Sequence, residues 1–248
     1  MSGDVVVRLE GVTKAFGGRR VLDGVSFEVR RGRAFCLLGR SGSGKSVTLR
    51  HIVGLVRPDA GRVLVGGRDV ARLSGRALSE VRRGIGFLFQ DGALFDSISV
   101  GENVAFPLRR HTTLPAAAIR RRAGELLAEV GLEREFDTMP AALSGGMRKR
   151  VGLARAMALD PAVLLVDEPS AGLDPITVEE IDRLLLERKE RAGVTLVVVT
   201  HNIPSARLLG DELAVLGGGR LLACGRADEL ACSPDDLVRA FLRAEGGG

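Results

Sequence analysis

The chain contains 248 residues, of which 45% are hydrophobic and 27% are charged, and its formal net charge is +5. This share of hydrophobic residues is enough to bury a core, which excludes an intrinsically disordered chain, and the length suits a single α/β domain. The positive charge alone fits nucleic acid, an anionic membrane surface or an arginine-rich solvated face. Because Tyr and Trp are absent, base-stacking platforms are poorly supplied, and we predict no nucleic-acid partner.

We expect neither a secretory signal nor a membrane-spanning helix. Asp4 and Glu10 flank the first apolar run, and the start of the chain lacks a basic region and a long apolar region. The apolar runs have strand length, far below the roughly 20 residues of a membrane span. The three cysteines are an odd number without C-x-x-C spacing, which argues against a disulfide framework or a zinc site. We therefore expect a reduced cytoplasmic setting, in which membrane association requires a partner.

Turn residues separate short β-type segments in the first quarter of the chain. The predicted strands there are residues 5–9, 26–29, 34–38 and 63–65. From Lys45 onward helical and strand patterns alternate, which predicts a mostly parallel sheet. The helices predicted are residues 45–55, 116–130, 175–191 and 235–243, with another after Ser144, and the strands are residues 85–89, 163–166 and 194–199. We expect one domain over residues 1–248, with a helical subdomain at about 91–158.

A glycine-rich segment lies between the predicted strand 34–38 and a predicted helix. It matches the phosphate-binding P-loop and consists of Gly39, Arg40, Ser41, Gly42, Ser43, Gly44, Lys45 and Ser46. The glycines allow successive backbone N–H groups to wrap phosphates at a helix N-terminus. We expect Lys45 to reach the β- and γ-phosphates and the Ser46 hydroxyl to bind Mg²⁺. The strand–helix context argues against an accidental turn, so ATP and Mg²⁺ are the predicted cofactors.

Two carboxylates stand at the end of an apolar strand. Residues 163–166 are apolar, and Asp167 and Glu168 follow them directly. A buried strand that presents two acids at its end suggests a site, although a solvent-exposed strand end is the alternative. We predict that Asp167 holds Mg²⁺ and that Glu168 is the general base for the attacking water.

The segment from Leu143 to Met147 precedes a helix that Ser144 would cap. By itself this is common loop chemistry. In chain order, however, the P-loop, this segment, the acidic strand end and a histidine after a β-strand resemble the ATPases of ABC transporters. The resemblance implies that Ser144, Gly145 and Gly146 form a signature loop that contacts ATP, with Ser144 facing the γ-phosphate held by a second copy of the chain. Met147 stands where most members have glutamine.

The resemblance covers nearly the whole chain and implies roles for further residues. The Phe16 ring is expected to stack on adenine. Gln90 is expected to contact Mg²⁺ and water and to sense the membrane partner, and His201 to touch the γ-phosphate. Asp174 belongs to a segment that resembles the D-loop and also caps the helix that follows. Asn202 replaces the acid that is usual after the histidine.

Segments outside these shared motifs are more similar to the MlaF-like ATPases of lipid transporters that work with MCE proteins. They are residues 89–95, 103–109, 111–115 and 173–177, together with Met147. In that family a groove receives a coupling helix of the permease. Phe95, Phe106 and Leu108 are candidates to line it, with core packing as the alternative for each. The resemblance implies a dimer on the cytoplasmic face of the bacterial inner membrane, with a MlaE-like permease, an MCE protein and a STAS-domain regulator as partners.

The predicted function is therefore ATP-driven phospholipid transport by an α/β P-loop ATPase with an N-terminal antiparallel β part. Nothing in the motifs touches cargo, so an importer of amino acids or another small solute is the alternative. A soluble ABC ATPase acting on DNA or ribosomes is a further alternative, but Lys45 and Ser144 are too close in the sequence for a long coiled coil between them, and a second P-loop is missing. Intact Glu168, Gln90 and His201 argue against a non-hydrolysing module.

Overall fold

The computed structural model describes residues 4–243. The strands in that range are β1 (Val5–Phe16), β2 (Arg19–Arg30), β3 (Ala34–Leu38), β4 (Ala60–Val65), β5 (Arg68–Asp69), β6 (Ile85–Leu88), β7 (Val163–Asp167), β8 (Thr195–Thr200), β9 (Glu212–Gly217) and β10 (Arg220–Gly225). The helices are α1 (Lys45–Ile52), α2 (Gly75–Arg83), α3 (Val100–His111), α4 (Ala116–Glu129), α5 (Gly145–Ala156), α6 (Pro175–Ala192), α7 (Ile203–Leu209), α8 (Ala227–Ala231) and α9 (Asp236–Arg243).

The strands form two sheets. The first is antiparallel and has the order β2-β1-β4-β5, and the second has the order β10-β9-β3-β8-β7-β6. In the second sheet β6, β7, β8, β3 and β9 run parallel, and β10 pairs antiparallel with β9. This arrangement confirms the predicted α/β fold with an N-terminal antiparallel part and a mostly parallel sheet.

The central strands β3, β7 and β8 are buried along their whole length. Side chains of β3 alternate between two apolar clusters, as strand geometry requires. Cys36 and Leu38 pack with residues of the helical part, whereas Phe35 and Leu37 pack with the N-terminal sheet and α1. Strands covered on both faces in this way carry near-continuous hydrophobic runs, which is why the sequence predicts them well.

The site is positioned by the common direction of these three strands. The P-loop follows β3 at Gly39, β7 ends at Asp167, and β8 ends at Thr200, directly before His201. The register places Asp167 beside Val199 on the neighbouring strand. Carboxyl ends of parallel strands meet at one edge of the sheet, and ligands of open α/β sheets bind at that edge.

Helices occupy the chain between β6 and β7, where the described residues form no strand. Ser99 and Glu102 form a capping box at the start of α3, with N–H to side-chain oxygen distances of 3.1 and 3.3 Å. The fully buried Asn103 side chain accepts a hydrogen bond from Phe95 N–H (2.8 Å) and donates to Phe95 O (3.1 Å). These elements agree with the helical patterns in the sequence, and the division of residues 91–158 as a subdomain stays a prediction.

Two features of the chain differ from the sequence-based expectation. Strands β1 and β2 have 12 residues each, because their antiparallel pairing continues through several register shifts. The sequence analysis missed α2, which has no fully buried residue and packs against the core only through the partly buried Leu78 and Val81. Within residues 4–243, no helix combines the length and apolar character needed to cross a membrane.

Candidate nucleotide site

The P-loop joins the buried strand β3 to α1, which begins at Lys45. A Cβ atom at Gly39 would lie 2.5 Å from Leu216 O and 2.7 Å from Ser43 Oγ, so a larger residue does not fit there. Gly44 has a φ of +108°, a conformation that residues with side chains rarely adopt. These glycines let the loop turn closely enough to present the unpaired N–H groups at the start of α1 to an anion.

Lys45 folds back over the loop and is only 5% exposed. Its Nζ donates to Gly39 O at 2.7 Å and to Arg40 O at 3.3 Å, and forms an ion pair with Glu168 Oε1 at 3.1 Å. A buried ammonium group requires such partners. The lysine charge is thereby held at the P-loop, where P-loop proteins bind nucleotide phosphates.

Ser46 and Asp167 form the polar contact between α1 and β7. Ser46 Oγ donates to Asp167 Oδ1 at 2.8 Å. Burial raises the pKa of Asp167, and the hydrogen bond from Ser46 opposes that rise. Mg²⁺ in nucleotide sites takes oxygen ligands, one or two from carboxylates and the others from water and phosphate. This pair fits that requirement, and the described residues contain no cluster of three or more His, Cys, Asp or Glu side chains that could form a separate metal site.

Glu168 connects Lys45 to His201. Its backbone has a φ of +46°, which is uncommon for a residue with a side chain, and its N–H donates to Val199 O at 2.8 Å. Glu168 Oε2 accepts a hydrogen bond from His201 N–H at 3.1 Å and lies 2.8 Å from His201 Nδ1. The Glu168 side chain is 10% exposed and the His201 side chain is 59% exposed. A buried carboxylate is therefore oriented from two sides, while the imidazole remains accessible.

A cavity of about 680 Å³ lies at this edge of the sheet, within the size range of small-molecule sites. The predicted site residues that line it are Phe16, Arg40, Ser41, Gly42, Gly44, Lys45, Ser46, Gln90, Glu168 and His201. Three predicted site residues are absent from this lining but lie next to it: Gly39 and Ser43 belong to the P-loop, and Asp167 ends β7. The lining also includes Arg19 and Phe241, which no motif indicates. The fold thus brings together residues from five separate segments of the chain, and their individual chemical roles remain predictions.

Phe16 stands at the rim of this cavity, with 47% of its surface exposed. Asp59 accepts hydrogen bonds from Lys14 Nζ and Ala15 N–H, both at 2.7 Å. Lys14 Nζ lies 5.3 Å from the centroid of the Phe16 ring, within cation–π range. The two residues before Phe16 are therefore anchored by a carboxylate that is distant in the sequence, and sequence reasoning missed both Lys14 and Asp59.

Four predicted nucleotide contacts are absent from the described lining of the cavity, namely Ser144, Gly145, Gly146 and Asp174. Ser144 is exposed, and its Oγ accepts a hydrogen bond from Met147 N–H at 3.2 Å as the N-cap of α5. Asp174 caps α6 through Thr177 N–H at 3.0 Å. Within one chain the signature loop does not join the P-loop site, so its contact with ATP stays a prediction that requires a second copy.

Lys149 is a residue of the site region that no motif identified. It lies on α5, is 4% exposed, and donates from Nζ to the carbonyl oxygens of Glu168, Pro169 and Ala171. In the sequence it stands between two arginines, which is typical of a solvated face. Its spacing of four residues from the buried Leu153 is the signal that places it on the inner face of the helix.

A second cavity, of about 350 Å³, lies beside β6 and α3 and is called the docking groove below. Phe95 and Phe106 line it with their rings 4.9 Å apart and are 45% and 46% exposed. Its basic lining residues are Arg82, Arg83, Arg155 and His111, and the described lining contains no carboxylate. For Leu108, which is absent from this lining, the structure shows the stated alternative of core packing. Leu108 is 3% exposed because it shares the core-facing side of α3 with Val104.

The P-loop, the Ser46–Asp167 pair and the Glu168–His201 contact define a P-loop nucleoside triphosphatase. Residues 22–171 match the ABC transporter family. The chain belongs to the ATP-binding subunits of that family and is an ATPase.

Three relatives illustrate this membership. The chain is 41% identical over 238 residues to the probable ribonucleotide transport ATP-binding protein mkl of Mycobacterium leprae, covering 96% of this chain and 69% of that protein. It is 40% identical over 237 residues to the intermembrane phospholipid transport system ATP-binding protein MlaF of Escherichia coli K12, covering 96% of this chain and 88% of that protein. It is 44% identical over 245 residues to the methionine import ATP-binding protein MetN 2 of Rhodopseudomonas palustris, covering 98% of this chain and 65% of that protein. The chain thus spans about two thirds of the first and third relatives.

Solved structures support the same fold. The dimeric structure of MJ0796, described as a bacterial ABC transporter cassette, superposes with a TM-score of 0.84 at 35% identity, covering 89% of this chain and 98% of that one. A second structure of MJ0796, a dimeric post-hydrolysis state bound to ADP and Pi, superposes with a TM-score of 0.83 at 36% identity and the same coverage.

Proposed function

We propose that this ATPase drives phospholipid transport between bacterial envelope membranes, together with an MCE protein. In this proposal the chain lies peripherally on the cytoplasmic face of the inner membrane, beneath an integral permease. Two copies bind ATP between them. A small STAS-domain protein is proposed as a regulator, and nucleic acid is not a partner.

The docking groove is the observation that carries this proposal. Phe95 and Phe106 belong to the segments 89–95 and 103–109, which are similar to the MlaF-like ATPases, and the E. coli relative MlaF is named for intermembrane phospholipid transport. Two large exposed rings beside an apolar wall suit an amphipathic helix that lays its apolar face into the groove. A coupling helix of the permease is the proposed occupant.

An importer of a small solute is the second candidate function. MetN 2, the R. palustris relative, is named for methionine import, and its identity to this chain is 44%, similar to that of MlaF. The residues of the ATP site bind nucleotide and not cargo, so the site fits both candidates equally. The segments that line the docking groove are the reason for preferring phospholipid.

In the proposed mechanism the P-loop holds the phosphates and Glu168 activates water. The Phe16 ring stacks on adenine, and Lys45 exchanges the Gly39 carbonyl for phosphate oxygens. When Lys45 turns toward phosphate, Glu168 Oε1 becomes free to accept a hydrogen bond from the attacking water. Glu168 takes a proton from that water while the water oxygen bonds to the γ-phosphorus. The bond between the γ-phosphorus and the bridging oxygen of ADP breaks, which releases ADP and phosphate. His201 keeps Oε2 in place and offers its ring to the γ-phosphate.

Ser46, Asp167 and Gln90 are the residues that would hold Mg²⁺. Ser46 and Asp167 supply oxygen atoms that are already 2.8 Å apart, and Gln90 lines the same cavity from the turn after β6. When bound, Mg²⁺ would offset the negative charge that develops on the phosphate oxygens during hydrolysis.

Each ATP is proposed to lie between two copies of the chain. The N-terminus of α5 carries unpaired N–H groups and the positive end of the helix dipole, which suits a γ-phosphate arriving from outside the chain. Ser144, Gly145 and Gly146 would present this end to the nucleotide held by Lys45 of the other copy, with Asp174 nearby in the interface. The dimeric structures of MJ0796 support this arrangement.

Reconstitution tests the cargo directly. The chain is purified with its cognate permease and MCE protein, placed in vesicles containing a fluorescent phospholipid, and supplied with ATP. We expect ATP-dependent movement of the labelled lipid, which is lost when the complex contains Glu168→Gln. A cognate permease that imports an amino acid and has no MCE partner would instead establish the second candidate.

A further inference from the structure

We infer that Lys149 is a positioning residue for hydrolysis, which fixes the turn carrying Glu168 to the helix that begins after Ser144. The inference rests on the proposed role of Glu168 as general base. It goes beyond that role because Lys149 does not line the cavity and carries no part of the nucleotide site.

All three N–H donors of Lys149 are used by the turn after β7. Nζ lies 3.2 Å from Glu168 O, 2.9 Å from Pro169 O and 2.6 Å from Ala171 O. An ammonium group has three donors and no acceptor, so these carbonyls saturate it. Among the described residues, no carboxylate lies within ion-pair distance of Nζ. The backbone turn is therefore what holds this buried charge, and the charge holds the turn.

The turn needs such a contact because its backbone is strained at Glu168. A φ of +46° is sparsely populated for a residue with a side chain and persists only where the surroundings impose it. Without Lys149, the carbonyl oxygens of Pro169 and Ala171 would lose this donor, and Glu168 O would keep the Ala171 N–H at 3.2 Å, in a turn that is mostly buried. The expected result is a shift of the Glu168 backbone, which would move its carboxylate away from the attacking water.

Helix α5 also contacts the docking groove, at the segment that follows Gln90. Arg155 donates from Nη2 to Gly92 O at 2.7 Å and from Nη1 to Ala93 O at 2.8 Å. A Cβ atom at Gly152 would lie only 3.0 Å from Gly92 Cα, so the helix and this segment are in close contact. Helix α5 therefore contacts both residues 92–93 and, through Lys149, the turn that carries Glu168.

The test compares full-length wild-type, Lys149→Met and Lys149→Arg proteins. Methionine keeps the apolar stem without any donor, whereas arginine keeps the charge and several N–H donors. Because misplacing a catalytic group by about 1 Å costs on the order of 10²-fold in rate, we expect Lys149→Met to lower kcat about tenfold or more while the Kd for ATP changes less than about threefold. Lys149→Arg should recover part of the lost kcat.

Lys189→Met is the matched control. Lys189 is a partly buried lysine of α6, 17% exposed, and pairs at 2.7 Å with Asp211, directly before β9. Its loss removes a lysine ion pair without touching the Glu168 turn. We expect its kcat to stay within about twofold of wild type. If Lys149→Met does not fold, Lys149→Leu, which also has no donor, replaces it under the same criterion.

Several results would overturn the inference. The first is an unchanged kcat in Lys149→Met, and the second is an equal loss of kcat in Lys189→Met. The third is a kcat in Lys149→Arg no higher than in Lys149→Met. The fourth is an ATP affinity that falls together with kcat in Lys149→Met. Hydrolysis by Glu168→Gln distinguishes failure of the Lys149 inference from failure of the proposed general-base role of Glu168. If Glu168→Gln hydrolyses like wild type, the role of Glu168 is wrong; if it loses hydrolysis while Lys149→Met keeps it, only the positioning role is wrong.

Discussion

Glu168 and His201 share a 2.8 Å hydrogen bond between Oε2 and Nδ1, while the other carboxylate oxygen of Glu168 pairs with Lys45 at 3.1 Å. One carboxylate oxygen therefore contacts the His201 imidazole, and the other contacts the Lys45 ammonium group. In the proposed mechanism nucleotide phosphates attract Lys45, so ATP binding would free one carboxylate oxygen of Glu168.

Replacement of the general base should separate binding from turnover. Glu168→Gln keeps the shape of the side chain but cannot accept the proton from water, so we expect hydrolysis to fall roughly 10²- to 10⁴-fold with ATP binding retained. Phosphate release and equilibrium ATP binding on purified protein measure the two effects. Glu187→Gln, at an exposed pair with Arg191, is the control and should hydrolyse normally. Near wild-type hydrolysis in Glu168→Gln would remove Glu168 from this role.

Two inactive variants should restore activity when mixed. Lys45→Ala loses its own phosphate contact, and Ser144→Arg blocks the contact it offers to the partner's nucleotide. A mixed dimer retains one site with intact Lys45 and Ser144, whereas each homodimer has none. We therefore expect ATPase activity to reappear on mixing, together with a more than linear dependence of wild-type activity on protein concentration. A wild-type monomer that hydrolyses at full rate, with no dimer in ATP by sedimentation, would contradict the shared site.

Charges in the docking groove should prevent permease binding without affecting the ATP site. Phe95→Asp and Phe106→Asp each remove a ring from the proposed apolar contact and introduce a hydrated carboxylate, whose desolvation beneath an apolar helix face is costly. We expect loss of co-purification with the permease in mild detergent, with the ATPase rate of the isolated chain unchanged. Leu222→Asp is the control, since Leu222 is also an exposed apolar residue but lies on β10. Equal co-purification of all three variants would show that the permease binds elsewhere.

The Asp59 anchor should make stability depend on pH. The hydrogen bond from Lys14, followed by that from Ala15 N–H, holds the pKa of Asp59 below its ordinary value. The contribution of Asp59 to the free energy of unfolding is therefore complete above its unfolded-state pKa of about 3.9. This contribution is lost as the pH falls through the lower pKa that Asp59 has in the folded state. We expect Asp59→Asn to lower Tm at neutral pH, by an amount that shrinks below about pH 4. Thermal unfolding measured from acid to neutral pH checks this, and a constant difference would refute it.

Local sequence patterns are sufficient to predict the P-loop, the acidic end of β7 and the fold class. These features are local: eight contiguous residues carry the P-loop, and buried parallel strands appear as uninterrupted apolar runs. The same locality explains why Ser144 and Asp174 are correctly predicted as helix caps. It also explains why their contact with ATP, which depends on a second copy, stays a prediction.

Tertiary contacts, in contrast, determine which polar residues support the site and which apolar residues are exposed. Lys149 reaches carbonyl groups of the turn after β7, and Asp59 reaches Lys14 across a strand pairing, so neither contact has a pattern in the local sequence. On α3, Phe106 and Leu108 are both apolar and two residues apart, yet the first is exposed and the second buried. The reason is that burial depends on the direction in which a helix packs, and that direction is set by contacts with segments distant in the chain.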